Sequence, residues 1–249
     1  MQTGGARSRI AAGAMQRRTP IFFVVSARPR VGKTTLARVL ADYFRSDGRL
    51  FAAFDVNPTE FSLAEHMPAF TAVSSIDDTK GQMALFDQLV ADDGVPKIVD
   101  VGHALLERFF GVIQDIDFLG EARRRGLAPV ALFLADPDRR SEVAYVMLQH
   151  RFADMTLVPV INEAVPHLIR FSDRFVPARG GRTLSVPALA PVIKSVIERP
   201  GFSFIGYSAK APDQTSELYR WIRHLFLEFR DLELRMLLEE LKPDIKFTA

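Results

Sequence analysis

The chain has 249 residues, of which 48% are hydrophobic and 25% charged, with a formal net charge of +2 and no cysteine. This length suits one α/β domain with a large core, and the lack of cysteine excludes a disulfide framework, a thiolate nucleophile and a cysteine-ligated metal. The small net charge argues against a chain-wide attraction to nucleic acid, so any basic surface must be local.

The first 19 residues carry four arginines but no apolar segment of the kind found in secretory signals. No apolar run in the sequence approaches the roughly 18 to 20 residues that span a bilayer. We therefore expect residues 1–19 to form a flexible basic arm, residues 20–249 to form a single domain, and the protein to be cytoplasmic without a membrane role.

Apolar runs alternate with helical patterns along the chain. Residues 21–25 are apolar throughout, as in a strand buried on both faces, and a helical pattern starts at Lys33 and stops at Gly48. A second strand is predicted at 50–55. Further strands are predicted at 97–101, 129–135, 156–161 and 202–205, and helices near 80–91, 105–125, 139–152, 187–198 and 215–241. This alternation predicts an α/β fold, a mostly parallel sheet with helices on both faces.

The turn between the first strand and the first helix ends in Gly32, Lys33 and Thr34. Gly-Lys-Thr at the mouth of a helix directs backbone N–H groups and the helix N-terminus toward a phosphate. Lys33 would reach the β- and γ-phosphates, Thr34 would ligate magnesium, and Gly32 would let the backbone approach closely. An ordinary strand-to-helix turn is the alternative interpretation.

The same turn resembles the deviant phosphate loop of the ParA/MinD superfamily of P-loop ATPases, whose pattern is Lys-Gly-Gly-x-Gly-Lys-Thr-Thr. Residues 28–35 align with it without a gap, and Arg28, Pro29 and Arg30 replace Lys-Gly-Gly. The resemblance implies a P-loop NTPase fold with ATP and Mg²⁺ as ligands. It assigns nucleotide binding to Arg28, Arg30, Val31, Gly32, Lys33, Thr34 and Thr35.

In that family the first lysine of the pattern reaches across a homodimer to the partner's nucleotide. Arg28 keeps the positive charge, although its geometry differs from that of lysine. Pro29 removes an N–H group, and Arg30 would be strained if its φ were positive. A nucleotide-sandwich homodimer therefore stays open.

Polar residues after three later strands extend the resemblance. Asp55 and Asn57 stand where the family has Asp-x-Asp-Pro, which implies a magnesium role for Asp55 and a water-orienting role for Asn57. Asn57 cannot accept a proton as a carboxylate does, so slow hydrolysis is expected. Asp100 resembles the family's Walker B aspartate, and Asn162 its adenine-binding asparagine. Turn chemistry is the alternative for Asp55, Asn57 and Asn162.

The resemblance thus implies a catalytic set of Lys33, Asp55 and Asn57 and a metal set of Thr34, Asp55 and Asp100. Three functions stay open. The chain would be a slow ATPase that switches the positioning of an unidentified protein partner, a nucleotide-binding scaffold with little hydrolysis, or an ATP-dependent synthetase or small-molecule kinase. Non-specific DNA binding stays open with little in the sequence to favour it.

Two later segments allow alternatives. Residues 170–182 hold four arginines and could form a phosphate or partner contact, but a solvated surface loop is the simpler interpretation. The helix at 215–241 has a narrow apolar seam, for which we expect packing across the sheet, with a dimer seam as the alternative. The acids of this helix argue against membrane binding. The seam consists of Leu218, Ile222, Leu225, Phe229, Leu232 and Met236.

Overall fold

A computed structural model of the chain describes residues 18–57, 63–211 and 213–241, so residues 1–17 of the predicted arm lie outside it. Seven strands of the described part form one sheet in the order β3-β2-β4-β1-β5-β6-β7, with every pairing between neighbours parallel. The strands are β1 (Thr19–Val25), β2 (Ala52–Val56), β3 (Thr71–Val73), β4 (Lys97–Val101), β5 (Leu127–Leu134), β6 (Thr156–Asn162) and β7 (Leu184–Val186).

Helices cover both faces of this sheet. They are α1 (Lys33–Ser46), α2 (Leu63–His66), α3 (Thr79–Leu89), α4 (Leu106–Asp115), α5 (Phe118–Arg124), α6 (Arg139–Arg151), α7 (Pro191–Ile197), α8 (Phe204–Lys210) and α9 (Glu217–Leu241), with 3₁₀ turns at His103–Leu105 and Leu168–Arg174. The cluster of buried side chains on one face includes α3 to α6, and the cluster on the other includes α1, α2 and α7 to α9. The predicted α/β fold is confirmed.

The central strand β1 is buried on both faces, as its apolar run predicts. Phe22 and Val24 pack with α1, whereas Phe23 and Val25 pack with the opposite helices. Each is at most 1% exposed, and full burial of such a side chain contributes about 1.5–3 kcal/mol. The two cores therefore fix β1 firmly, and with it the loop that follows.

The predicted strand at 202–205 is wrong, because α8 begins at Phe204. The side chain of Ser203 accepts a hydrogen bond from the Gly206 N–H at 3.1 Å, and Asp42 of α1 accepts one from the Phe204 N–H at 2.6 Å. These acceptors satisfy the first N–H groups of a helix, which a strand would not need.

Two further differences concern a break in a predicted helix and two short strands. The predicted helix at 105–125 is interrupted at Asp117, whose φ of 48° lies in the left-handed region, so that α4 and α5 are separate. The strands β3 and β7 were not predicted, since each has three residues, too few for a periodic pattern.

The long helix α9 packs its predicted seam against the sheet side, which confirms the expected packing. Leu218, Ile222, Leu225, Phe229 and Leu232 are all buried, and Met236 packs at the edge of the same core. Among residues 18–57, 63–211 and 213–241, every helix is too short or too polar to span a bilayer.

Most arginines of residues 170–182 are held by acids of the same chain. Arg174 pairs with Glu142, Arg179 pairs with Asp154, and Arg182 forms two hydrogen bonds to Glu228 at 2.8 and 2.9 Å. Since these guanidinium groups already have carboxylate partners, the contacts favour a structural role for this segment over phosphate binding.

Candidate nucleotide-binding site

The loop at 26–32 lies at the carboxyl end of β1, in the middle of the sheet. The chain leaves β1 toward β2 on one side, and leaves β4, the neighbour of β1, toward β5 on the other. In open α/β sheets a crevice forms where the connections that leave two adjacent strands run in opposite directions, and ligands bind there. The position of the loop is therefore that of a ligand-binding turn.

Gly32 is the residue that allows this loop to enter the helix. Its φ of 100° and ψ of 18° lie in a left-handed conformation, and it directly precedes the first residue of α1. A Cβ atom at this position would lie 2.9 Å from the Asn162 Nδ2 atom. The backbone conformation thus favours glycine here, and a side chain would also force the Asn162 amide to move.

The side chains of Thr34 and Asp100 meet between α1 and β4. The Thr34 hydroxyl donates a hydrogen bond of 2.7 Å to the Asp100 Oδ2 atom. A hydroxyl and a carboxylate oxygen are ligands that Mg²⁺ prefers, and this ion usually takes its other ligands from phosphates and water. No cluster of three acids or histidines in the described ranges could hold a metal alone. The residues therefore fit a magnesium ion that arrives with a nucleotide.

The remaining loop residues surround the start of α1. Lys33 is its first residue and is 6% exposed, Val31 is 3% exposed, and Thr35 is half-buried in the first turn. Arg30 is exposed with a φ of 60°, so the left-handed conformation considered for it is present. For a residue with a Cβ atom, that conformation costs about 1–2 kcal/mol.

Arg28 has a partner that the sequence did not suggest. Its guanidinium lies 3.5 Å from a carboxylate oxygen of Asp138, with side-chain exposures of 43% and 38%. Asp138 also caps α6, since it accepts a hydrogen bond from the Arg140 N–H at 2.8 Å. The sequence did offer one signal for this pair, because Asp138 comes soon after β5, the strand that neighbours β1. Arg28 is thus directed toward its own chain.

Asp55 lies directly beside Asp100 in the register of β2 and β4 and is 1% exposed. Its Oδ1 atom accepts a hydrogen bond from the Asn57 N–H at 3.0 Å, and its Oδ2 atom accepts one from the Ala64 N–H at 2.9 Å. Both oxygens of this carboxylate therefore hold the two ends of the segment between β2 and α2.

Asn57 packs closely on the segment that follows Asp100. A Cβ atom at Gly102 would lie 2.8 Å from the Asn57 Oδ1 atom, and Asn57 is 6% exposed. A larger residue at this position would force the Asn57 side chain to move, a constraint that sequence reasoning missed. A movement of the chain at Gly102 toward Asn57 would therefore displace this side chain.

Asn162 contacts the loop from the end of β6. Its Nδ2 atom donates a hydrogen bond of 2.9 Å to the Val31 carbonyl, and its Oδ1 atom accepts one of 3.0 Å from the Ala164 N–H. The amide thus braces the loop next to Gly32, and its pairing with an adenine edge stays a prediction.

Replacing Asn162 with alanine should weaken binding of ATP and GTP by the same factor, about fivefold to tenfold, because one neutral hydrogen bond is worth about 1 kcal/mol. Calorimetric titration of both nucleotides into the wild type and the variant measures this. A loss confined to ATP would instead assign Asn162 to recognition of the base.

The chain was compared with family models, curated proteins and solved structures. No family model matches the chain, and no curated protein matches it. Among solved structures, it is similar to a ParA family ATPase from Chlorobium tepidum TLS, with 13% sequence identity, coverage of 85% of this chain and 99% of that chain, and a TM-score of 0.47. The contacts of the loop, and not this similarity, are the basis of the proposed function.

Proposed function

We propose that this chain binds ATP with Mg²⁺ at the loop of residues 26–35 and acts as a slow, nucleotide-dependent switch that positions a protein partner. The hydrogen bond of 2.7 Å between Thr34 and Asp100 carries this proposal. It brings together an alcohol from the first turn of a helix and an acid from the neighbouring strand, the pair that holds Mg²⁺ in P-loop proteins.

Backbone N–H groups of α1 and the side chain of Lys33 would contact the phosphates. The first backbone N–H groups of α1 have no acceptors within the helix and carry the positive end of its dipole, so they favour an anion. Lys33 adds a positive charge at the same helix start. When bound, Mg²⁺ would neutralise charge on the phosphates.

The residue that follows β2 is the reason to expect slow hydrolysis. Asn57 can orient a water by hydrogen bonds but cannot take its proton, and general-base catalysis is worth about 10²- to 10⁴-fold in rate. Asp55 accepts one backbone N–H on each oxygen, from Asn57 and Ala64, which leaves a lone pair on each for a metal ion or its water. The lack of a carboxylate at position 57 also favours a second candidate, a nucleotide-binding scaffold with very little turnover.

A nucleotide-sandwich homodimer is the less favoured assembly. Pro29 offers no N–H group to a phosphate, whereas the exposed pair of Arg28 with Asp138 would cost little to break. We therefore propose that the partner is a different protein, and that binding of nucleotide changes the segment near Asn57 and Gly102.

Calorimetric titration of ATP and GTP with magnesium into the wild type and Lys33→Ala tests the proposal. We expect micromolar binding by the wild type and at least about a hundredfold weaker binding by the variant, because a charge-assisted contact to phosphate is lost. Phosphate release on the same samples then separates the two candidates.

Measurable release that Lys33→Ala abolishes supports the slow ATPase. Tight binding without release supports the scaffold. If the wild type binds neither nucleotide, or if Lys33→Ala binds as tightly as the wild type, the phosphate-binding role of the loop is wrong.

A further inference from the structure

The outward face of α9 carries a continuous stripe of arginines and leucines. Its members follow one another at spacings of three or four residues, as on one side of a helix. All are exposed, and the three leucines are exposed by 56%, 51% and 51% in chain order. We define this outer stripe as Arg220, Arg223, Leu227, Arg230, Leu234 and Leu238. It is about 27 Å long at 1.5 Å per residue.

Three acids of α9 are engaged by arginines that do not belong to this stripe. Glu228 pairs with Arg182 at 2.8 Å, Glu233 pairs with Arg49 at 2.9 Å, and Asp231 accepts a hydrogen bond of 2.9 Å from Arg235. Arg230 lies 3.7 Å from Asp47, with its side chain 68% exposed. Such an exposed pair is worth little, so the stripe keeps its positive character.

A pocket of about 520 Å³ opens beside the stripe. Arg230 and Leu234 of the stripe line it together with Leu237, Tyr43 and Arg49, and Asp47 and Glu233 complete the lining. Its wall thus combines apolar surface with two guanidinium groups and two carboxylates. Arg49 is bound to Glu233 through both of its terminal nitrogens, which keeps the wall in place.

We propose that the outer stripe docks an acidic amphipathic helix of another protein. Leucines of the stripe would pack against apolar side chains of that helix at heptad spacing, and the arginines would face its carboxylates. One large apolar side chain of the partner would enter the pocket as an anchor. The proposal goes beyond nucleotide binding, and no residue of the loop at 26–35 belongs to the surface.

Other occupants fit the charge pattern less well. The segments 1–17, 58–62 and 242–249 of this chain contain only Glu60 and Asp244 as acids. Two copies packed in parallel would oppose every arginine of the stripe to another, and in an antiparallel pair the stripe has no acid of its own to face its arginines. A nucleic acid would use the arginines but leave the leucines exposed. A bilayer would need a broader apolar face than three leucines provide.

Fluorescence anisotropy with a labelled synthetic helix tests the proposal. The probe carries leucine and glutamate at the heptad positions that complement the stripe, and a second peptide has lysine in place of glutamate. The full-length wild type should bind the acidic peptide, with an affinity that falls as the salt concentration rises, and should show no binding to the basic peptide. Arg223→Glu and Leu234→Asp should each weaken binding by at least about tenfold.

Arg199→Glu is the matched control, since Arg199 is exposed, lies outside α9 and undergoes the same change of charge. It should bind like the wild type, and thermal unfolding should show all three variants folded. The proposal is overturned if the wild type fails to bind the acidic peptide or if Arg199→Glu weakens binding as much as Arg223→Glu. It is also overturned if Leu234→Asp abolishes self-association, or binding to anionic vesicles or duplex DNA, while peptide binding is unchanged.

Discussion

Replacing Asp42 with alanine should lower the free energy of unfolding by about 3–5 kcal/mol, the range measured when one partner of a buried charged contact is removed. Asp42 is 2% exposed. Its Oδ2 atom accepts hydrogen bonds from the Ser203 hydroxyl at 3.1 Å and from the N–H groups of Phe204 and Ile205 at 2.6 and 3.1 Å. Alanine would leave these donors without that acceptor.

The same substitution removes a negative charge close to a buried arginine. Arg38 is 2% exposed, and burial lowers its pKa to about 10 even though Asp42 and Glu198 favour the charged form. Without Asp42, the charged guanidinium becomes still less favourable in this position. The two losses act in the same direction, so the midpoint of thermal unfolding should fall by about 10 °C or more.

Asp47→Ala provides a matched control at the end of the same helix. Asp47 lies 3.9 Å from Arg49 and 3.7 Å from Arg230, with its side chain 33% exposed. Pairs of this kind contribute at most about 1 kcal/mol. Equal destabilisation by the two substitutions, measured by urea unfolding, would show that the contacts of Asp42 with α8 contribute no more than an exposed pair.

The sequence predicted the centre of the fold more accurately than its edges. Strands β1, β4, β5 and β6 are apolar on both faces, and such runs are recognisable because burial on both sides leaves little choice of residue. The edge strand β3 contains Val73, which is 64% exposed, and has only three residues. Pairing with β2, not an apolar pattern, makes it a strand.

The wrong strand at 202–205 has a different cause. Phe202, Phe204 and Ile205 suggest a short apolar strand, but Ser203 and the distant Asp42 cap a helix at this point. A contact between residues 162 positions apart is not visible in local composition. Long-range capping therefore decided the conformation of this segment.

In the candidate site, too, local sequence predicted some features, and long-range contacts decided the others. Strand ends placed Thr34 and Asp100 near each other because the carboxyl ends of neighbouring parallel strands share one edge of the sheet. Local sequence could not reveal that Asn162 braces Val31 or that Arg28 faces Asp138, since these contacts depend on how side chains from three strand ends share the space above β1.

Replacing Gly32 with alanine should weaken nucleotide binding by about a hundredfold, equal to about 2.7 kcal/mol. The φ of 100° is unfavourable for alanine, and its Cβ atom would lie 2.9 Å from the Asn162 Nδ2 atom. To avoid this contact, Asn162 must move away from the Val31 carbonyl or the peptide at Gly32 must rotate. Movement of Asn162 alone should cost only the fivefold to tenfold of Asn162→Ala, and the larger loss follows from rotation of the peptide, which displaces the N–H groups that would hold the phosphates.

Gly48→Ala separates the backbone effect from the contact. Gly48 follows the far end of α1 with a φ of 67°, and a Cβ atom added there would have no neighbouring atom within 4 Å. Both variants should lose about 1–2 kcal/mol of stability from the left-handed conformation, but only Gly32→Ala should lose affinity for ATP in calorimetric titration. If Gly32→Ala binds ATP like Gly48→Ala, the close packing of the loop against Asn162 has no part in binding nucleotide.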